Sequence, residues 1–389
     1  MCHKGARMHF ARTLSVERLK SSAFVFGPRM TEKTTLLSGL PDRTLFDLLD
    51  PELELEYRAK PGLFWESISA LPNGSRIVID EIQKVPSLLN YVQMGIDRLD
   101  HHFILSGSSA RKLKRGGANL LGGRSLDLKL HPLTHNELMD HFSMDNSLTL
   151  GTLPKIYSLL LENDEDLARS HLKSYVTTYI KEEIQAEALT RNLGAFQRFL
   201  SVAAQSNAQV IEFANISREC SVPASTVKEY YQILEDTLLG FFLWPFDRNE
   251  RRKARPKFYF FDCGVVRALQ NRLNDPPTQG ERGFLFETWL VNELTRIRDY
   301  HGKEHQFSFW RKRNQEVDII ISGGYGPLLA LECKSGRTDL SSSTANALAN
   351  AFPETPLVVA SLNDKYPRRT ANGIDVLPWE DVLARYRDL

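Results

Sequence analysis

Short apolar runs alternate with amphipathic stretches through the first third of the chain. Between about Ser22 and Thr134 the runs "AFVFG", "RIVID", "HFILSG" and "LDLKLHPL" have strand length, and helical spacing fills the gaps between them. That βαβ rhythm predicts a mostly parallel sheet. From about Glu137 to Leu243 the pattern turns almost wholly helical, as in "SHLKSYVTTYIKEEIQAEAL" and "LGAFQRFLSVAAQS". A basic connector, "DRNERRKARPK" (Asp247 to Lys257), leads into a second strand-rich block. There "KFYFFD", "FSFWRKR", "EVDIIIS", "LLALECK" and "TPLVVAS" are predicted strands, with a long helix over "RGFLFETWLVNELTRIRDY". The expected division is 1–140, 141–247 and 248–389, with no internal repeat.

Composition narrows the classes. With 389 residues, 42% hydrophobic and 25% charged, the chain can build two or three ordinary cores. Lys plus Arg (49) nearly cancels Asp plus Glu (48), which argues against a protein that coats nucleic acid or membrane by bulk charge. Four scattered cysteines suggest neither a disulfide framework nor a zinc knuckle. The first residues lack a continuous apolar core, and the longest apolar run, "LLGFFLWPF", is too short for a bilayer. A cytoplasmic protein without a membrane partner is the expectation.

Candidate chemistry begins at "GPRMTEKTT", Gly27 to Thr35, which follows a buried strand and opens a helix. That is the order a phosphate-cradling loop requires. Gly27, Pro28, Arg29, Lys33, Thr34 and Thr35 are the candidate nucleotide contacts: Lys33 for the β and γ oxygens, Thr34 for magnesium. "RIVIDEIQ" places Asp80 and Glu81 at the end of an apolar strand, Asp80 to hold the metal and Glu81 to polarise an attacking water. Ser106, Ser108 and Ser109 end the next strand, where a γ-phosphate sensor would sit, although such serines also cap helices. Arg124 stands where an arginine finger could reach a neighbouring subunit, or where a plain surface arginine would lie.

Further on, "ISREC", "SVP" and "ASTVKEYYQILEDT" have the shape of a helix-turn-helix with Val227, Tyr231 and Leu234 on one face, and "LLGFFLWPF" reads as the first strand of a wing. The exposed start, Ser225, Thr226, Lys228 and Glu229, lacks arginine, so DNA contact competes evenly with protein docking or a spacer role. Arg248, Arg251, Arg252 and Arg255 are candidate phosphate clamps or simply solvated charges. In the last block Glu287 lies on a helix, Asp318 on one strand, and Glu332 and Lys334 two apart on the next. That order is similar to a PD-(D/E)xK nuclease core, which implies metal at Glu287, Asp318 and Glu332, with Lys334 stabilising charge; a retained fold without chemistry is the alternative. His131 and His135 read as structural, and Phe258 to Phe261 as core strand.

Together "VFGPRMTEKTTLLSGL", "IVIDEIQKVPSLL", "FILSGSSARKLKRGGANLLGGR", "LHPLTHNEL", "KFYFFDCGVVRAL" and "FWRKRNQEVDIII" resemble the bacterial and archaeal AAA-type ATPases that carry a carboxyl-terminal domain of unknown function. The resemblance implies an α/β AAA+ P-loop NTPase domain, a helical middle with a winged helix-turn-helix, and an α/β restriction-endonuclease-like end. It also implies ATP and Mg2+ at Lys33, Thr34, Asp80 and Glu81, with DNA and a homo-oligomer as candidate partners. Glu32 departs from the pattern, standing where the family has glycine. A carboxylate about 5 Å from a phosphate oxygen, at an effective dielectric near 20, repels by on the order of 3 kcal/mol, or roughly two decades in affinity. A nucleotide site with weakened or lost turnover is expected, against a non-catalytic sensor or scaffold.

Overall fold

The computed structural model describes residues 9–108, 121–179, 192–246, 255–336 and 341–389. It divides into two compact units. The first is Met1–Leu133 with Leu153–Lys155 and Ile233–Leu239; the second is Thr134–Thr152, Ile156–Gln232 and Gly240–Leu389.

The first unit is built on a five-stranded sheet in the order β2-β3-β4-β1-β5. Its strands are β1 (Ser22–Phe26), β2 (Arg43–Asp47), β3 (Arg76–Asp80), β4 (His102–Gly107) and β5 (Ser125–Lys129). Every pairing is parallel, as the alternating pattern predicts. All five residues of β1 are buried, as expected of a central parallel strand covered on both faces. Period-2 alternation sends Phe24, Phe26, Ile77, Ile79, Phe103 and Leu105 into one core. Phe64 and Ile68 of the helix Gly62–Ser69 and Val92 of the helix Leu88–Leu99 pack there too. Only β2 escapes the sequence pattern: "RTLFD" is an edge strand with a single buried residue, so it carries no apolar run.

In the second unit an eight-stranded sheet runs β12-β13-β11-β10-β9-β8-β6-β7. Its strands are β6 (Gly240–Pro245), β7 (Lys257–Phe260), β8 (Gln306–Lys312), β9 (Gln315–Gly323), β10 (Gly326–Lys334), β11 (Leu357–Ser361), β12 (Arg368–Arg369) and β13 (Asp375–Pro378). The helix Gln279–Tyr300, capped by Thr278 accepting from Glu281 N, buries Leu285, Phe286, Trp289, Leu290 and Leu294 against Ile319, Ile321, Leu329 and Leu331. The helices Phe213–Cys220 and Ala224–Asp236 are joined through Ser221 in the left-handed region, the residues of the second helix from Ile233 on being assigned to the first unit, and Val227, Tyr231 and Leu234 are fully buried. The stretch expected as the first strand of a wing is β6, which pairs with β8 as well as β7 and so belongs to the large sheet. Ser109, Arg248, Arg251 and Arg252 lie outside the described residues. No helix among the described residues is long and apolar enough to cross a membrane.

One glycine of the loop is fixed by space rather than by φ. A β-carbon on Gly27 would lie 2.4 Å from the carbonyl oxygen of Leu130, just past β5, where backbone cannot yield. Gly27→Ala is therefore expected to destabilise the first unit by about 1–3 kcal/mol, read as a lower chemical-denaturation midpoint; an unchanged midpoint would contradict the close approach.

Candidate functional sites

The first site gathers at the carboxyl ends of β1, β3 and β4. The loop after β1 leads into the helix Lys33–Ser38, and Thr34 Oγ1 donates to Asp80 Oδ2 at 2.6 Å. Asp80 is 1% exposed. Its other oxygen accepts from Ser106 Oγ and from Glu81 N at 3.1 Å, and Ser106 Oγ accepts from the same amide at 3.1 Å. Three elements are thus tied by one carboxylate whose partners are hydroxyls and an amide. Lys33, also buried, donates to the carbonyls of Gly27 (2.8 Å) and Pro28 (3.0 Å). Thr31 Oγ1 donates to Pro28 O, and Arg12 donates to Thr31 O at 2.8 Å and His131 O at 2.6 Å, so the segment before β1 braces the loop.

Glu32 has φ 65 and ψ 36, the left-handed conformation glycine takes without penalty. A residue with a β-carbon is destabilised there by about 1–2 kcal/mol. The loop therefore keeps a glycine-like backbone although the side chain is glutamate. Glu81 is also left-handed, at φ 57, and its carboxylate accepts from Gln83 Nε2, a buried amide that reaches Ser108 Oγ at 3.4 Å. Sequence reading passed over Gln83; an amide two residues after a candidate catalytic acid was the available signal. Thr35 is exposed and Arg29 half-buried. Arg124 Nε donates to Asp97 Oδ1 at 2.8 Å, with 39% of its side chain exposed. The hard oxygens of Thr34 and Asp80, already in contact, suit a magnesium ion with its retained waters.

The second site lies wholly within the second unit. Glu287 on the long helix, Asp318 on β9, and Glu332 and Lys334 on β10 come close together, as their spacing predicts, but around a cation that spacing does not reveal. Lys257, the first residue of β7 and 3% exposed, places its ammonium 2.7 Å from Glu316, 2.9 Å from Glu287 and 3.4 Å from Asp318. Glu287 Oε1 also accepts from Tyr259 hydroxyl at 2.5 Å, Asp318 Oδ2 accepts from Cys333 N at 2.9 Å, and Glu332 Oε1 accepts from Lys334 at 2.8 Å. Burial alone would pull the Lys257 ammonium down, yet Glu287, Asp318 and Glu316 together raise it above its ordinary value. Burial, and then the charge of Asp318, push Glu287 up to about 8 and Glu332 to about 7. A divalent cation does not fit this arrangement: the carboxylate oxygens it would use already hold an ammonium, a hydroxyl and an amide. Elsewhere His135 is structural, with Nδ1 2.9 Å from the buried Glu293, which also pairs with Arg296.

Residues 20–139 match the family model described as an AAA domain. Residues 142–276 match a domain of unknown function (DUF8612), and residues 282–382 another (DUF4143). Most of the first unit thus lies within a match to an AAA domain. An uncharacterized protein of Mycobacterium tuberculosis is 26% identical over 251 residues, covering 62% of this chain and 54% of that protein. The chain spans about half the length of the curated relatives it matches. Among solved structures, the Orc1 protein of Aeropyrum pernix in complex with DNA has a TM-score of 0.32 at 11% identity, covering 64% of this chain and 86% of that one. DnaA from Aquifex aeolicus, bound to AMPPCP, has a TM-score of 0.28 at 14% identity, covering 56% and 84%.

The raised carboxyls have a consequence for stability. Between the ordinary glutamate value of 4.5 and about 8, folded Glu287 keeps a proton that the unfolded chain releases. The native state then binds more protons, so stability falls as pH rises through that window. Glu287→Gln should flatten this decline in urea midpoints measured from pH 5 to 9; parallel slopes for variant and wild type would refute the assignment.

Proposed function

We propose that the chain is an ATP-binding protein of the AAA type whose first unit takes ATP with magnesium at Lys33, Thr34, Asp80 and Glu81. The observation that carries this reading is the 2.6 Å contact between Thr34 and Asp80. It brings together, from a helix start and a distant strand end, the two oxygens a phosphate-bound magnesium needs. Magnesium supplies neutralisation of the charge that builds on the β and γ oxygens. Lys33 exchanges the carbonyls of Gly27 and Pro28 for phosphate oxygens. Glu81 orients the attacking water and Ser106 connects that carboxylate's backbone to Asp80. Glu32 adds negative charge to a loop that must accept a polyanion, so binding is weak and turnover slow or lost.

Coupling of nucleotide to DNA through the helix-turn-helix and the nuclease-like second unit is the fuller form of this reading. Ser225, Lys228 and Glu229 are exposed for such contact. In a homo-oligomer Arg124 would leave Asp97 for a neighbouring copy's nucleotide. The second reading, a non-catalytic nucleotide sensor or scaffold, is favoured by Glu32 and by the ammonium seated among the acids of the second unit.

Titration with a fluorescent ATP analogue and magnesium discriminates these. Glu32→Gly should tighten binding by up to about a hundredfold, and Lys33→Ala should abolish it in that background. Equal tight binding by wild type and Glu32→Gly would remove the role given to Glu32, and binding insensitive to Lys33→Ala would remove the nucleotide site.

A further inference from the structure

The acid cluster of the second unit contains its own cation. Lys257 is held in place from both sides of its strand: it pairs across to Leu243 in β6 and bridges to Val210, and the neighbouring Ile211 N donates to Pro256 O. Its backbone position is therefore set by the sheet, and its side chain runs inward to a point within 3.4 Å of Glu287, Glu316 and Asp318. These acids come from a helix and one strand, with Glu316 and Asp318 two apart on the same face of β9. The remaining lone pairs are largely used by Tyr259, Cys333 N and Lys334. Glu332 Oε2 is buried and has no partner among the described residues, the single carboxylate oxygen of Glu332 that Lys334 leaves over.

A magnesium ion needs near-octahedral oxygens at 2.0–2.1 Å and a path to keep its waters. An ammonium offers the same oxygens three N–H donors in a fixed place, without coordination demands. It also repels a second cation brought to the same carboxylates. We propose that Lys257 is the resident cation of this cluster, that the cluster accordingly takes no divalent metal in the wild-type chain, and that the same carboxylates form a latent site for a hard divalent cation once the ammonium is removed. The consequence for the chain is a nuclease-like constellation that performs no metal-dependent phosphodiester hydrolysis. Nothing in this depends on whether the first unit binds ATP.

The test is Mn2+ binding to the full nucleotide-free chain, followed by electron paramagnetic resonance and calorimetry. Wild type and Asp318→Asn should bind Mn2+ indistinguishably. Lys257→Met, with the stem kept and the charge removed, should gain one additional Mn2+ per chain with at least tenfold tighter binding than wild type, and Lys257→Met/Asp318→Asn should lose it. Wild-type Mn2+ binding that Asp318→Asn abolishes would overturn the proposal, as would Mn2+-dependent nicking of plasmid DNA lost in that variant. A Lys257→Met chain with native circular dichroism and no gain of metal would overturn the latent site. Should that variant not fold, the comparison of wild type with Asp318→Asn still decides whether the cluster is metal-free.

Discussion

A charge taken out of water has to be met by groups within hydrogen-bond reach, and the candidate site of each unit holds such a charge. In the first it is Asp80, 1% exposed at the end of β3. In the second it is Lys257, 3% exposed at the start of β7. At Lys257, breaking a buried ion pair by removing one partner is destabilising by about 3–5 kcal/mol, since the remaining charge stays buried without compensation; at Asp80, a lost neutral donor leaves a buried acceptor short of a hydrogen bond, at a cost of about 1–3 kcal/mol. The elements that supply the partners are therefore constrained more tightly than general packing would require. Thr34, Ser106 and the amide of Glu81 are brought to Asp80, while Glu287, Glu316 and Asp318 are brought to Lys257.

The two solutions differ chemically. Asp80 is met by neutral donors, two hydroxyls and an amide. Lys257 is met by charges, and the acids around it are themselves lifted toward neutrality by burial, so charge is nearly balanced within the chain. A divalent ion about 4 Å from an ammonium, at an effective dielectric near 20, is repelled by on the order of 8 kcal/mol. One carboxylate among neutral donors and a cluster of acids around an ammonium thus lead to different expectations for metal, and in the second unit the difference lies in Lys257.

The sequence pattern reveals the strands because central strands bury continuous apolar runs, and β1, β3, β4, β9 and β10 all do so. It misses β2, an edge strand whose burial is too slight to leave a run, and likewise the short β12 and β13. That Thr34 meets Asp80, and that Glu287, Asp318 and Glu332 lie close together, is legible because loop order and period-2 spacing are local properties. Lys257 is not legible for the converse reason. In sequence it closes a basic connector and opens "KFYFFD", so it reads as one more solvated charge beside a hydrophobic strand. Strand alternation puts Lys257 and Tyr259 on one face and Phe258 and Phe260 on the other, but only the fold brings in acids 30 and 61 residues away. Gln83 is hidden likewise, since its meaning depends on the turn that curls it back onto Glu81.

Glu32 shows how a local rule can be broken while the shape it served persists. Glycine in a phosphate loop does two things: it permits left-handed backbone, and it keeps bulk and charge away from the ligand. The first function survives here without glycine. The turn is held by Thr31 on Pro28 O, by Lys33 on the carbonyls of Gly27 and Pro28, and by Arg12 on Thr31 O. Those contacts overcome the conformational penalty of about 1–2 kcal/mol. The second function is a separate matter: a carboxylate about 5 Å from a phosphate oxygen, at an effective dielectric near 20, would repel by on the order of 3 kcal/mol, more than that penalty. At an equal backbone conformation, glutamate at position 32 thus differs from glycine in charge and bulk more than in the fold of the loop.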